Sequence, residues 1–391
     1  MKRNTLILSD AHLSTILPDT EPGMNHRKEA AIFDEEMASL IDRAVIRSRR
    51  VPLSIVFNGD LFDFDAPPGC FSEFLPDTIS HEQSGAVQTL QAILEDHPIF
   101  LKALGRALCN GHSVVFVAGN HDAQLAFPEV RGLLRLYLTL EASLYKANCT
   151  PQIFFRSLFH QTSDGLHIEH GHSYDPFCAL SVPLPFARDG QSHLEETVGS
   201  VASYYGPAVL RDVDPYKSNP MDVRSHDLAT AVWQRIAAGD ISAPWLMASA
   251  TRFIHRLAMV DAVADARGTV PFCEHVAGEV GRHVADITRH VAMFAPKAVA
   301  TRALEANIRS NYGTDVDDRL RAAMREICAI YNCRGVVFGH THVPWIGGHG
   351  SAQMANSGAW SHTQAGSYVW AESDSGVFKS FSCATTESNF L

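Results

Sequence analysis

Short apolar runs alternate with longer amphipathic segments through the first half of the chain, and they return near its end. Five runs rich in β-branched and aromatic residues predict buried strands, and each closes on polar residues or glycine. These runs are 4–8, 53–57, 113–117, 165–168 and 335–338. Between them, helical periodicity predicts helices over 27–49, 85–110 and 129–147. Strands that alternate with helices indicate an α/β fold, in which helices cover central sheets.

The middle of the chain has a different pattern. From residue 176 to residue 315 the strand-like runs disappear and helical periodicity takes over. This segment lacks the Pro/Gly/Ser-rich composition of a linker, so we interpret it as a large helical insertion or cap subdomain. The main domain is then predicted to comprise residues 1–175 and 316–391, and to close with a helix over 317–331 and with strands over 353–360 and 367–383.

The composition is that of a folded, soluble protein. Hydrophobic residues make up 46% and charged residues 19% of the 391 residues, which argues against intrinsic disorder, collagen and coiled coil. The formal net charge is −11, because 43 acidic residues outnumber 32 lysines and arginines. Such a charge disfavours proteins that coat phosphate backbones, so we expect no nucleic-acid partner.

Neither export nor membrane insertion is indicated by the sequence. The apolar stretch 5–8 is too short for the core of a signal peptide, and the most apolar candidate span, 244–263, contains Arg252, Arg256 and Asp261. The eight cysteines form no C-x-x-C pair, so neither a zinc knuckle nor a disulfide framework is indicated. We therefore expect a cytoplasmic protein with reduced thiols and no transmembrane segment.

Polar residues with metal-binding chemistry stand at the ends of the predicted strands. The motifs are Asp10-Ala-His12, Gly-Asp60-Leu-Phe-Asp63, Gly-Asn120-His121-Asp122, His170-Gly-His172 and Gly-His340-Thr-His342. Taken singly, each is common as a turn or as an exposed polar pair. Together they bring candidate ligands to five strand ends, which is where ligand sites of α/β sheets gather.

Seven of these side chains are candidate metal ligands, because each offers a carboxylate oxygen, an amide oxygen or an imidazole nitrogen. They are Asp10, His12, Asp60, Asn120, His170, His340 and His342. If the Asp60 carboxylate bridges two ions, four protein bonds go to each ion and positions remain for water and substrate. This donor set without thiolate suits Mn, Fe or Zn. The pattern predicts a dinuclear centre, since a mononuclear or structural site would leave ligands unused.

In this order, the five motifs resemble those of the calcineurin-like metallophosphoesterases. The similarity covers roughly residues 1–175 and 316–383, and the segment 355–360 resembles the strand and turn that follow the family's last motif. The resemblance implies a metal-dependent hydrolase with a four-layer sandwich of two mixed β-sheets flanked by helices. It implies one ion held by Asp10, His12, Asp60 and His342, and another held by Asp60, Asn120, His170 and His340.

The chemistry expected of such a centre is that of a phosphatase or phosphodiesterase. A hydroxide held between two divalent or trivalent cations about 3.5–4 Å apart attacks phosphorus in line. His121 is the candidate general acid for the leaving group, and Asp63 resembles the family's carboxylate that orients this histidine and raises its pKa. Asp122 is interpreted as a turn residue or as a side chain that supports the ligands, rather than as a catalytic group. His172 either approaches the substrate or binds a neighbouring carboxylate.

Two further functions and a branch of the family remain as alternatives. The segments 9–13 and 58–65 resemble the UDP-2,3-diacylglucosamine pyrophosphatase branch, which would make the substrate a nucleotide-linked or lipid-linked pyrophosphate; that branch has Arg where His121 stands. A catalytically silent binding protein on the same fold should have lost ligands, whereas all seven are present. A DNA-directed nuclease is disfavoured by the acidic charge.

The expected partner is therefore a phosphorylated small-molecule or lipid substrate, and the sequence leaves the oligomeric state open. The segment 176–315 is tethered at both ends to stretches that carry metal ligands. We hypothesise that it forms a cap beside the cleft that selects the substrate, the alternative being a purely structural subdomain or a subunit contact.

Overall fold

The computed structural model describes most of the predicted main domain. The described residues are 3–16, 25–48, 51–65, 82–175, 178–179, 185–188, 191–194, 197, 200, 316–360, 366–374 and 377–386. Most of the predicted insertion, including 201–315, therefore lies outside the described residues, and its helices and domain boundaries stay predictions.

The described part of the chain contains thirteen β-strands and five α-helices. The strands are β1 (Arg3–Leu8), β2 (Leu53–Asn58), β3 (Ser113–Val117), β4 (Gln152–Arg156), β5 (Phe159–Gln161), β6 (Leu166–Glu169), β7 (Phe186–Arg188), β8 (Gln191–His193), β9 (Gly335–Phe338), β10 (Trp345–His349), β11 (Ala352–Asn356), β12 (Ser367–Asp374) and β13 (Val377–Thr385). The helices are α1 (Asn25–Ser48), α2 (Gln83–Asp96), α3 (Pro98–Cys109), α4 (Pro128–Tyr145) and α5 (Val316–Tyr331).

The strands form two mixed sheets and one hairpin. The first sheet has the order β13-β12-β1-β2-β3-β4, in which β1 to β4 are parallel and β12 and β13 are antiparallel additions. The second has the order β10-β11-β9-β6-β5, with β6, β9 and β11 parallel. The hairpin β7–β8 lies at the start of the segment for which the sequence pattern predicted no strands.

The fold has four layers: the helices α1 to α4, the first sheet, the second sheet and α5. Side chains that alternate along each strand contact the layers on either side. On β1, Leu6 and Leu8 face the helices α1 to α4, while Ile7 between them faces the second sheet. The two sheets pack face to face through apolar residues such as Val115 and Ile168. The outer face of the second sheet is covered by α5. This is the sandwich of two mixed sheets flanked by helices that the motifs implied.

The predicted helix over 85–110 is wrong in one respect, because two helices occupy this stretch. Pro98 is the first residue of α3; its ring excludes an N–H and disfavours helical backbone at the residue before it, so α2 ends at Asp96. The intervening His97 is fully buried, and its Nε2 lies 2.9 Å from the carbonyl oxygen of Ser14. The Asp34 carboxylate accepts hydrogen bonds from the first amides of α3.

A helix that crosses a bilayer must be long and apolar. Of the described helices, α1 is the longest with 24 residues, and α4 has 18. Both carry several charged side chains. Within the described residues, no helix combines the length and the apolar character needed to cross a membrane.

Candidate metal centre

The candidate site lies where the parallel strands of both sheets end. Asp10 and His12 follow β1, and Asp60 follows β2 after the turn residue Gly59. Asn120 follows β3, and His170 comes directly after β6. The pair His340 and His342 follows β9 in the same way. Parallel strands place their carboxyl ends on one side of a sheet, so residues far apart in sequence meet at a common edge.

The first group of candidate ligands is Asp10, His12 and His342. One ligand atom from each lies within 4.8 Å of the others. The Nε2 atoms of His12 and His342 are 3.4 Å apart, and the His342 Nε2 is 3.2 Å from Asp10 Oδ1. Two ring nitrogens and a carboxylate oxygen that converge on one point fit a cation with N and O ligands.

The second group is Asp60, His170 and His340, with the amide oxygen of Asn120 beside it. The His170 Nε2 is 3.1 Å from Asp60 Oδ2 and 3.2 Å from Asn120 Oδ1. The other nitrogen of His170, Nδ1, lies 2.8 Å from the carbonyl oxygen of Asn58. Because Nδ1 donates its proton to this carbonyl, the Nε2 lone pair points into the cluster as a ligand would require.

Asp60 lies between the two groups. Its carboxylate is grouped with His170 and His340 on one side, and with His12 and His121 on the other. The side chain is almost fully buried. This is the position that a carboxylate bridging two ions must occupy.

Backbone strain marks the same residues. Five of the seven candidate ligands have a positive φ, a conformation uncommon outside glycine. They are Asp10 (56°), His12 (50°), Asp60 (51°), His340 (69°) and His342 (61°). Among the other non-glycine residues that the structure describes, Asn332 alone shares this conformation. Strained backbone persists where the surroundings determine it, and it concentrates at functional sites.

The charges within the cluster are strongly coupled. Burial opposes ionisation of Asp60, but the neighbouring His170 and His121 outweigh it and hold the pKa of this carboxyl well below its usual value. Burial likewise opposes protonation of His170, yet the Asp60 and Asp10 carboxylates raise its pKa to about 9. Because a histidine ligand is neutral, a metal ion at this position would compete with a proton for the Nε2 of His170.

His121 stands beside the cluster and faces three carboxylates. Its Nδ1 is 3.1 Å from Asp63 Oδ1 and 3.5 Å from Asp65 Oδ2, and its backbone N–H donates to Asp60 Oδ1 over 2.8 Å. Burial alone would lower the pKa of His121, but Asp60, Asp63 and Asp65 together raise it well above the usual value. The structure thus brings the predicted pair His121 and Asp63 together and adds Asp65.

Asp122 has the role of a turn residue, as the sequence indicated. Its Oδ1 accepts from the Gly119 amide at 2.6 Å, and its Oδ2 accepts from the Leu61 amide at 2.9 Å. The carboxylate thereby joins the turns that follow β2 and β3. Burial, with the charge of Asp60 nearby, raises the pKa of Asp122 to about 7.

His172 is buried close to the second group. Its ring centroid is 5.5 Å from that of His170. Burial, followed by the charges of His170 and His340, lowers its pKa to about 3. A neutral imidazole therefore stands beside the candidate ligands.

The turns that follow β2 and β3 approach so closely that only glycine fits at position 119. Gly119→Ala should therefore disturb the site. A Cβ at this position would overlap Asp60 Oδ1 and lie 2.6 Å from the Asp60 nitrogen. We expect a loss of about 1–3 kcal/mol in the free energy of unfolding, together with lower metal content. The matched control is Gly132→Ala in α4, where the added methyl would have no described atom within 4 Å beyond the local backbone of its own helix. Gly132→Ala should raise the free energy of unfolding by about 0.5–1 kcal/mol, because alanine favours helix more than glycine does. Unchanged stability and metal content in Gly119→Ala would refute the steric argument.

Three polar residues of the site were not singled out by their position in the motifs. Asp65 shares a period-two spacing with Asp63, which was the available signal. Asn356, at the end of β11, donates from Nδ2 to the Gly339 carbonyl at 2.7 Å and so holds the last motif. Asp175 lies three residues after His172, a spacing that carries no signal by itself.

Comparison with known families agrees with this geometry. The family model of the calcineurin-like phosphoesterases matches residues 4–220, which is more than half of the chain. The chain therefore belongs to this family, and the resemblance seen in its motifs is confirmed. The match covers the motifs up to His172 and extends beyond the boundary predicted at 175. No curated protein matched the chain. The likeness to the UDP-2,3-diacylglucosamine pyrophosphatase branch stays a hypothesis.

Proposed function

We propose that this protein is a dimetal phosphoesterase that hydrolyses a phosphate ester or diester. The observation that carries the proposal is the position of the buried Asp60 carboxylate between two groups of candidate ligands, whose members are buried except for the partly exposed His340 and His342. A member of a family that is generally hydrolytic, with all seven ligand positions filled, has the parts that this reaction needs.

The residues present fit two ions. Asp10, His12, Asp60 and His342 would hold the first, and Asp60, Asn120, His170 and His340 the second. The donors are oxygen and imidazole nitrogen, which suits Mn, Fe or Zn. When bound, the ions would supply a water of lowered pKa and positive charge against the phosphoryl oxygens.

His121 supplies the proton in this proposal. Its Nδ1 faces Asp63 and Asp65, which leaves Nε2 as the nitrogen that can donate to a leaving oxygen. The carboxylates favour the protonated form of the ring, since they raise its pKa well above the usual value. The bond to Asp63 also holds the ring in one orientation while the proton leaves. The substrate would be a phosphorylated small molecule or lipid.

Metal reconstitution tests the proposal directly. Protein stripped with a chelator should regain two ions per chain when dialysed against Mn, Fe or Zn, and should then hydrolyse members of a panel of phosphomonoesters, cyclic nucleotides, nucleotide-linked pyrophosphates and phospholipids. The matched control is Asp42→Asn, which removes a surface carboxylate paired with Arg106 at 2.6 Å. It should change neither metal content nor turnover. A parent chain that binds no stoichiometric metal would refute the proposal.

A further inference from the structure

We propose that Asp175 is a positioning residue of the metal centre, which fixes the ring of His340 so that its free nitrogen faces the second ion. The proposal rests on the proposed function, because it concerns the same centre. Its basis is a bond between elements far apart in the chain: Asp175 Oδ2 lies 2.9 Å from His340 Nε2. The two side chains are 12% and 9% exposed, so water competes little for this bond.

The chemistry of imidazole makes this contact consequential. The ring has two nitrogens, and one that binds a metal leaves the other as an N–H donor. Since Nε2 of His340 donates to Asp175, Nδ1 is the nitrogen left to act as ligand. A carboxylate that accepts this bond fixes the tautomer and makes the ligand nitrogen more basic. His170 is oriented in the same manner, but its acceptor is the neutral carbonyl oxygen of Asn58, 2.8 Å away.

The backbone around Asp175 holds its carboxylate in place. Asp175 ends a short 3-10 helix, His172–Tyr174, and its N–H donates to the His172 carbonyl at 3.0 Å. Its own carbonyl accepts from the amides of Cys178 and Ala179 at 3.0 and 2.8 Å. A carboxylate on such a bonded turn can define the direction of the ring that it contacts.

The turn itself is seated against the second sheet and its helix. Gly171, which starts it, has a φ of 106°, and a Cβ there would lie 2.5 Å from Leu320 Cδ2 on α5 and 3.1 Å from Phe338 on β9. The turn thus packs closely on Leu320 and Phe338, with no space for a side chain at Gly171. Since β9 leads into His340, Asp175 connects the loop after β6 to the loop after β9.

A different role for Asp175 must be separated from positioning. Ligand atoms of Asp175, Cys178 and His340 lie within 4.8 Å of one another, so this trio could form a cation site of its own. A thiolate in that trio would make Cys178 essential for its ion. The positioning role makes no use of Cys178, so Cys178→Ser distinguishes the two.

The test measures metal binding in the full chain by chelator competition and elemental analysis. For Asp175→Ala we expect the affinity for one of the two ions to fall about 10- to 100-fold, with the other ion unchanged. Asp175→Asn should lose less metal affinity, because its amide oxygen can still accept the hydrogen bond from His340, although it lacks the negative charge. Cys178→Ser should bind both ions as the parent does. If Cys178→Ser loses an ion, or if Asp175→Ala binds both ions normally, the proposal is wrong.

A double-mutant cycle makes the test specific to His340. In a His340→Ala background, Asp175→Ala should produce no further loss of metal affinity, since the ring that it positions is gone. An additive loss would contradict the proposal. So would a fall of more than about 5 °C in the melting temperature of metal-free Asp175→Ala, because the carboxylate would then support the fold rather than the ligand. Absence of metal from the parent would instead refute the proposed function.

Discussion

Asp60→Asn should remove at least one metal ion per chain and lower kcat/KM by about 1,000-fold or more. A neutral amide holds two dications poorly, and the Asp60 carboxylate lies between the two ligand groups, grouped with His170 and His340 on one side and with His12 and His121 on the other. Charge stabilisation by a metal ion contributes several kcal/mol to such a transition state, and each 1.36 kcal/mol is a factor of ten in rate. Elemental analysis of the purified variant and its turnover of an aryl phosphodiester measure the two effects.

Asp60→Asn removes the negative charge of this side chain while keeping its size and shape. Asp60 has a φ of 51°, a conformation that Asp and Asn both tolerate better than most residues. The Asn amide oxygen can still accept the His121 amide, which donates to Asp60 Oδ1 over 2.8 Å. The turn should therefore keep its shape, and the surface variant Asp42→Asn controls for the loss of a carboxylate elsewhere. Two ions still bound per chain would remove Asp60 from the bridging position.

His121→Ala should keep both ions yet slow cleavage of substrates with poor leaving groups by about 100- to 10,000-fold, which is what general acid catalysis usually contributes. Activated aryl esters should lose much less, because their leaving groups need little protonation. The measurement is a plot of rate against leaving-group pKa for the parent and the variant, with metal content determined on the same samples.

Asp63→Asn is the matched control for the acid role. This variant keeps the His121 imidazole but removes the negative charge of the carboxylate that lies 3.1 Å from His121 Nδ1. It should therefore lose less of the cleavage rate than His121→Ala, with the same dependence on the leaving group. Equal losses across all leaving groups in His121→Ala would show that His121 binds substrate rather than donating a proton. Loss of an ion in that variant would also contradict the assignment.

Much of the fold could be predicted because its signals are local. The five apolar runs all form strands, at or within one residue of the expected bounds, since each is a run of β-forming residues that closes on polar or glycine residues. The strand predicted over 353–360 ends at Asn356, and the stretch predicted over 367–383 divides into β12 and β13. The edge strands β4, β5 and β10 were not predicted. Exposed and half-buried positions interrupt their apolar patterns, and pairing with the buried strands β3, β6 and β11 supplies the stabilisation that their own sequence does not show.

The candidate ligands were also predictable, because strand ends in an α/β fold converge and the motifs carry the donors. The positive φ angles at five of those donors were not, since no residue type among them demands that conformation. At Asp60, the turn after β2 packs so closely on the turn after β3 that a Cβ on Gly119 would overlap the Asp60 carboxylate. Steric fit between turns is a property of the folded chain.

The sequence by itself determined the strands, the donor set and the family. Only the tertiary structure decided which side chains surround those donors. Asp65 reaches His121 from another strand end, and Asp175 reaches His340 across 165 residues. The physical reason is that a hydrogen bond depends on distance and direction in space. Between residues so far apart in sequence, both are set by the packing of the two sheets and of α5, which no local pattern encodes.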